Sequence, residues 1–191
     1  MPDSPEVVNA KATLRTRLLA GRAARPAAQR AADADAVAGT LAARLADAGV
    51  VAGYVPTAEE PGHGRLPGAL PGRVLLPVVP ARGVELRWAE HDGGFAPGRF
   101  GLLEPTGPRL PATALGTADV VVVPALAVAA DGTRLGRGGG YYDRALGQAR
   151  TGAVLVAVVF DDELLDEVPA GAHDRRVAAV VTPGGGWRQL D

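Results

Sequence analysis

The hydrophobic positions change their rhythm about a quarter of the way along the chain. Over residues 5–24, Leu14 and Leu18 recur four apart, which predicts a helix with one apolar face; Ser4 or Asn9 offers a cap at its start. A second helix is predicted from Pro26, a favoured first-turn residue, to about Ala48, with Gly49 as its stop. Beyond that point come short valine-rich runs at 49–54, 73–79, 84–89, 118–124, 153–160 and 176–181. Most do not alternate, which marks strands covered on both faces, as in a parallel sheet. Residues 84–89, "VELRWA", do alternate, and predict an edge or antiparallel strand. The stretch after Gly140 reads as helical, so 118–160 forms a strand–loop–helix–strand unit. The pattern predicts a three-layer α/β domain spanning 1–191 as one unit. In such sheets ligands bind beyond the carboxyl ends of strands. Three polar loops leave strand ends here: after Tyr54, after Val123 and after Phe160.

Composition narrows the function. A net charge of −1 leaves no bulk attraction to nucleic acid, so any cationic site must be local. The absence of cysteine excludes disulfides, thiolate nucleophiles and cysteine metal sites. No apolar run is long enough to span a bilayer, and the N-terminus lacks a secretory pattern. The expectation is a cytoplasmic monomer acting on a small molecule, with no nucleic-acid or membrane partner.

The candidate chemistry sits in "DGTRLGRGGGYYDRAL", residues 131–146. Its glycines match neither a dinucleotide fingerprint nor a P-loop, for no glycine stands at 141 or 143 and no lysine–hydroxyl pair follows. The plain alternative is a flexible turn before a helix. Arg134 and Arg137 weigh against that alternative, because they flank the glycines and repel each other unless an anion lies between them. Glycine N–H groups and a following helix N-terminus would complete a phosphate cradle. Asp143 is then a metal-side carboxylate or simply a helix N-terminal acid. Lys11 is the only lysine in the chain, and Arg15 stands one helical turn on; an anionic ligand would offset their repulsion, with chance as the alternative. Glu59, Glu60 and Asp174 lie near strand ends and read equally well as solvated loop acids. His63 and His173 lack metal-type spacing and stay outside the catalytic set.

The run "VVVPALAVAADGTRLGRGGGYYDRAL" resembles the signature of the 5-formyltetrahydrofolate cyclo-ligase family, also called methenyltetrahydrofolate synthetases. "KATLR", "YVPTAEEPG", "GLLEPTG", "FDDELLDEVPAGAHD" and "VVTP" follow the family's order, so the resemblance covers nearly the whole chain. It implies a Rossmann-like α/β/α sandwich with a mostly parallel sheet. It also implies conversion of 5-formyltetrahydrofolate and ATP to 5,10-methenyltetrahydrofolate, ADP and phosphate, with Mg²⁺. By resemblance, ATP meets Lys11, Arg15, Arg134, Leu135, Gly136, Arg137, Gly138, Gly139, Gly140, Tyr141 and Tyr142. The folate meets Val55, Glu60, Arg137, Gly138, Gly139, Gly140 and Tyr141. Asp143 and Asp174 serve the metal, and Arg134, Arg137 and Tyr141 serve the chemistry. Val128–Ala129 and Ala178 stand where the family often carries an aspartate, and Gly139 where some members carry lysine. A non-catalytic folate- or nucleotide-binding relative is the rival reading, and an ATP-dependent enzyme acting on another formamide-like substrate is a weaker one.

Overall fold

The computed structural model describes residues 3–81, 84–171 and 174–190. Two helices come first, α1 (Pro5–Ala24) and α2 (Ala27–Arg44). The Ser4 hydroxyl accepts the Val7 N–H and caps α1, with Pro5 in the first turn. The strands β1 (Val50–Ala52), β2 (Arg73–Val78) and β3 (Arg87–Glu90) follow, then the hairpin of β4 (Phe95–Pro97) and β5 (Leu103–Pro105). After β6 (Arg109–Leu110) come β7 (Val120–Pro124), β8 (Ala127–Ala129), β9 (Arg134–Leu135) and the short helix α3 (Tyr141–Ala145). The chain closes with β10 (Val154–Val158), β11 (Leu164–Leu165), β12 (Ala179–Thr182) and β13 (Gly186–Gln189).

Eight strands form the central sheet in the order β13-β12-β10-β7-β1-β2-β3-β6. The five inner strands from β12 to β2 run parallel; β13 closes one edge antiparallel, and β3 and β6 close the other. The expected antiparallel strand at 84–89 is therefore β3. The valine runs fail to alternate because each face of the sheet has its own core. Val51, Val120, Val122, Val156 and Val158 pack with Val37, Leu41 and Leu45 at the end of α2. Their neighbours Ala52, Val121, Val123, Ala157 and Val159 pack on the opposite face with Leu115, Ala145 and Leu146 from short helical turns. Each buried valine contributes roughly 1.5–3 kcal/mol over its exposed state. Helical segments thus cover both faces of a mostly parallel sheet, as the sequence predicts.

One predicted helix comes out shorter, and another is brief. Helix α2 ends at Arg44, before Ala48. The helix after Gly140 has five residues and passes into a 3₁₀ turn, Leu146–Gln148, at Gly147. A second, three-stranded sheet, β11-β8-β9, lies on the apolar side of α1. Leu14 and Leu18 of the helix pack there against Leu126, Ala127, Ala129 and Leu135. β8 and β9 are joined by a turn in which Asp131 accepts both the Thr133 N–H and its hydroxyl, at 2.9 and 3.0 Å. Gly132 adopts φ +80° there, and a Cβ on it would lie 2.4 Å from the Val177 carbonyl. This hairpin fixes where the glycine-rich loop begins.

The inner stripe of α1 also carries charge. Arg22 is fully buried and forms a two-pronged ion pair with Glu163 at 2.7 Å on both prongs; its Nη2 also donates to the Ala125 carbonyl at 2.6 Å. The same Glu163 carboxylate accepts the Phe160 N–H at 2.9 Å. One pair thereby ties the helix to the exits of β7 and β10.

Candidate active site

A cleft of roughly 330 Å³ opens at the carboxyl ends of β1 and β7. Helix α1 supplies Lys11 and Arg15. The exit of β1 supplies Tyr54, Val55, Thr57 and Glu60, and the glycine-rich loop supplies residues 134–143. Asp174, far along the chain, completes the polar side. Every site residue expected from the sequence lines this one cleft: Lys11, Arg15, Val55, Glu60, the run from Arg134 to Asp143, and Asp174.

The loop owes its shape to its glycines. Gly138 (φ +95°) and Gly140 (φ +63°) occupy the left-handed region that ordinary side chains rarely adopt. Gly140 caps α3 by its backbone alone, with no side chain covering the helix start. Arg15 donates through Nε to the Gly136 carbonyl at 2.9 Å and so ties α1 to the loop.

Lys11, Arg134 and Arg137 each already have an acidic partner. Lys11 Nζ lies 2.7 Å from both Asp3 and Asp174. Arg134 pairs with Asp143 and donates to the Pro124 carbonyl at 3.2 Å. Arg137 Nε donates to Glu60 at 3.1 Å, and its Nη2 to the Thr57 hydroxyl at 3.1 Å. The repulsion expected between Arg134 and Arg137, and between Lys11 and Arg15, is therefore relieved inside the chain. Glu60 and Asp174 come from distant segments, whereas Asp3 and Asp143 lie eight and nine residues from the cations they hold. Burial alone would lower the Lys11 pKa, but hydrogen bonds to Asp174 and Asp3 outweigh it and hold the ammonium above its ordinary value. Burial likewise pushes the Asp174 carboxyl upward, and the hydrogen bonds it accepts from Lys11 and from the Gly171 N–H bring it below the usual aspartate value.

The tyrosine pair divides its labour. Tyr142 donates to the Gly53 carbonyl at 3.4 Å, and burial, followed by the nearby Glu60, pushes its phenol far up. It stays a neutral donor that joins the loop to β1. Tyr141 has a buried hydroxyl with no partner among the described residues, and its ring packs against the core. Arg144 crosses that ring at 5.4 Å. Buried polar atoms are nearly always hydrogen-bonded, so a phenol without a protein partner stands out.

Of the three strand-end loops expected to form the site, two do so. The loop after Phe160 is structural instead. Its Asp161 accepts the Thr182 hydroxyl and the Gly184 and Gly185 N–H groups, and its Glu163 holds Arg22. Glu59 is exposed while Glu60 is buried, because Glu60 folds back to accept the Thr57 N–H at 2.8 Å. His63 is exposed and bonded to the Pro56 carbonyl, and His173 lies outside the described residues.

Sequence reasoning missed the apolar wall. Pro77, Val79 and Leu86 face the cleft from β2 and the approach to β3, and Phe100, Leu102 and Leu103 from the β4–β5 hairpin. Phe100 is 64% exposed, and its φ of +58° places it in the left-handed region, which the run "GRFGLL" does not announce. Among the described residues no three His, Cys, Asp or Glu side chains converge on a point. Asp143 and Asp174 supply two carboxylates, a donor set that suits Mg²⁺, which takes one or two carboxylates and fills its shell with phosphate and water oxygens.

Fold and site together define an α/β enzyme whose cleft joins a cationic glycine loop to an apolar wall. The 5-formyltetrahydrofolate cyclo-ligase family profile matches residues 7–183. A 5-formyltetrahydrofolate cyclo-ligase of Mycolicibacterium smegmatis is 46% identical over 181 residues, covering 91% of this chain and 93% of that one. A mouse (Mus musculus) protein of the same name is 32% identical over 77 residues, 38% of each chain. The NMR structure of Aquifex aeolicus 5,10-methenyltetrahydrofolate synthetase is similar with a TM-score of 0.73 at 27% identity, covering 94% of this chain and 92% of that one. A Mycoplasma pneumoniae 5,10-methenyltetrahydrofolate synthetase shares the fold, with a TM-score of 0.69 at 20% identity over 89% and 96% of the two chains. The chain belongs to the 5-formyltetrahydrofolate cyclo-ligase family. No helix among the described residues is long and apolar enough to cross a membrane.

Proposed function

We propose that the chain converts 5-formyltetrahydrofolate to 5,10-methenyltetrahydrofolate with ATP, releasing ADP and phosphate. A formamide oxygen is a poor leaving group, so the ring cannot close until that oxygen carries phosphate. The formyl oxygen attacks the γ-phosphorus and the bond to ADP breaks. N10 then adds to the activated formyl carbon and loses its proton, and phosphate departs with the former formyl oxygen.

Phosphoryl transfer asks a protein mainly for position and for cations around the equatorial oxygens. Lys11, Arg15, Arg134, Arg137 and the N–H groups of Gly136, Gly138, Gly139 and Gly140 supply these, with Leu135 and Tyr142 holding the loop. Asp143 and Asp174 would hold Mg²⁺, which supplies further positive charge beside the phosphates when bound. Glu60 accepts N–H groups of the pterin, Val55 lines the same side, and the Tyr141 hydroxyl bonds the folate. The observation that carries this reading is Arg137, which bridges the loop to Glu60 and so stands between the phosphate and folate halves of one cleft. The test is an absorbance assay for methenyltetrahydrofolate made from 5-formyltetrahydrofolate. Product should form with Mg-ATP and not without it. Tight folate binding with no turnover would overturn the reading in favour of a non-catalytic relative.

A further inference from the structure

Arg137 is held along one edge. Its Nε donates to Glu60 Oε1 and its Nη2 to Thr57 Oγ1, both at 3.1 Å. A guanidinium carries five N–H donors in a rigid plane. Two are used here, and the Nη1 edge has no acceptor among the described residues. Nothing in its own loop restrains this side chain, for its neighbours are Gly136 and Gly138 and it is 45% exposed. An arginine left unrestrained samples many rotamers, and that freedom must be given up each time it meets a ligand in one geometry.

Thr57 sits at the junction of both contacts. Its backbone N–H donates to Glu60 Oε2 at 2.8 Å, and its carbonyl accepts the Glu60 N–H at 2.9 Å. The main chain of Thr57 therefore fixes Glu60, while its side chain fixes Arg137. We infer that Thr57 is a positioning residue: its hydroxyl, with Glu60, sets the plane of the Arg137 guanidinium and leaves the Nη1 edge for the transferring phosphate. The inference rests on the reading of the cleft proposed above. Thr57 needs only an acceptor oxygen at this position, so serine satisfies the requirement and valine, of nearly the same shape, does not.

The test is a cycle of Thr57→Val, Arg137→Ala and the double variant, with Thr57→Ser alongside. The Arg137 contact is solvent-exposed, so Thr57→Val should leave thermal unfolding where it is. It should lower kcat about tenfold, less than the roughly hundredfold that a 1 Å misplacement can cost, since Glu60 still holds the guanidinium. The KM for 5-formyltetrahydrofolate should hold, because valine keeps the N–H that orients Glu60. Thr57→Ser should recover most of the loss. In the Arg137→Ala background Thr57→Val should cost nothing further, since the two residues act through one group. Wild-type kcat in Thr57→Val overturns the inference, as does a loss that persists in full beside Arg137→Ala. The same cycle read by calorimetric binding of a non-hydrolysable ATP analogue needs no turnover. There Thr57→Val should weaken binding several-fold and add nothing to Arg137→Ala, while an unchanged Kd overturns the inference. A chain that makes no product but shows this binding cycle would contradict the proposed reaction and leave the role of Thr57 intact.

Discussion

Arg137 and Lys11 sit in one cleft but answer to different physics. Arg137 is half exposed, so its removal should spare the fold and strike the chemistry. Arg137→Ala is expected to lose about 2–4 kcal/mol of transition-state stabilisation, the scale of a preorganised donor. Steady-state kinetics beside a thermal melt check this, and near-normal turnover would sink the assignment. Lys11 is buried, and its pairing is a matter of linkage. Its pKa is raised, because hydrogen bonds to Asp174 and Asp3 outweigh burial; its contribution is full below the ordinary value of 10.5 and fades as pH climbs through the folded-state value. The Asp174 pKa is lowered, because the Lys11 contact and the Gly171 N–H outweigh burial; its contribution is full above 3.8 and fades as pH falls through the folded-state value. The stability gap between wild type and Asp174→Asn should therefore be steady near neutrality and narrow below about pH 4. Urea titrations without magnesium or nucleotide measure it, and a gap that widens in acid contradicts the pairing.

Among the elements, α1 does two jobs with one stripe. Its first turns bring Lys11 and Arg15 to the cleft, and its end buries Arg22 against Glu163. Removing one partner of a buried pair strands a charge, so Glu163→Ala should cost about 3–5 kcal/mol in chemical denaturation. A loss under about 1 kcal/mol would show that Arg22 finds water when its partner is gone. The central strands were legible because a sheet covered on both faces needs unbroken valine runs; α1 declared itself by spacing and its Ser4 cap, and α2 by the proline at its start. The small sheet was not legible, since β9 and β11 have two residues each and carry no period. Nor was the end of α3, a five-residue helix that passes into a 3₁₀ turn containing Gly147. The glycines and arginines alone marked the loop as part of the cleft. Two of the cleft's ion pairs could not be read from sequence: Glu60 lies 77 residues from Arg137 and Asp174 lies 163 from Lys11, and no local pattern joins them. The apolar wall escaped for a similar reason, since Phe100 and Leu103 look like ordinary loop residues until the hairpin folds over the cleft.

For the whole molecule, the cleft is a place of balanced charge, which suits a chain whose net charge is only −1. Lys11, Arg134 and Arg137 each hold an internal acid, so a nucleotide bound as proposed would exchange partners with groups already in place. Asp143 and Asp174, once parted from their cations, need a new positive partner, and a magnesium ion beside the phosphates is of the right kind. Alanine at either position should raise the magnesium concentration needed for half-maximal rate. The double variant should lose less than the sum, since both carboxylates act on one ion. Identical magnesium titrations in wild type and both single variants would remove these residues from the metal.

The solitary lysine has a practical side. Apart from the α-amino group, an amine-acylating reagent meets one target in the entire chain, and that target is buried between two carboxylates with its proton held firmly. Acylation at Lys11 should be slow in the intact protein and fast once α1 parts from the segment that bears Asp174. Peptide mapping by mass spectrometry then turns one side chain into a clock for the opening of the cleft, with no label to be engineered.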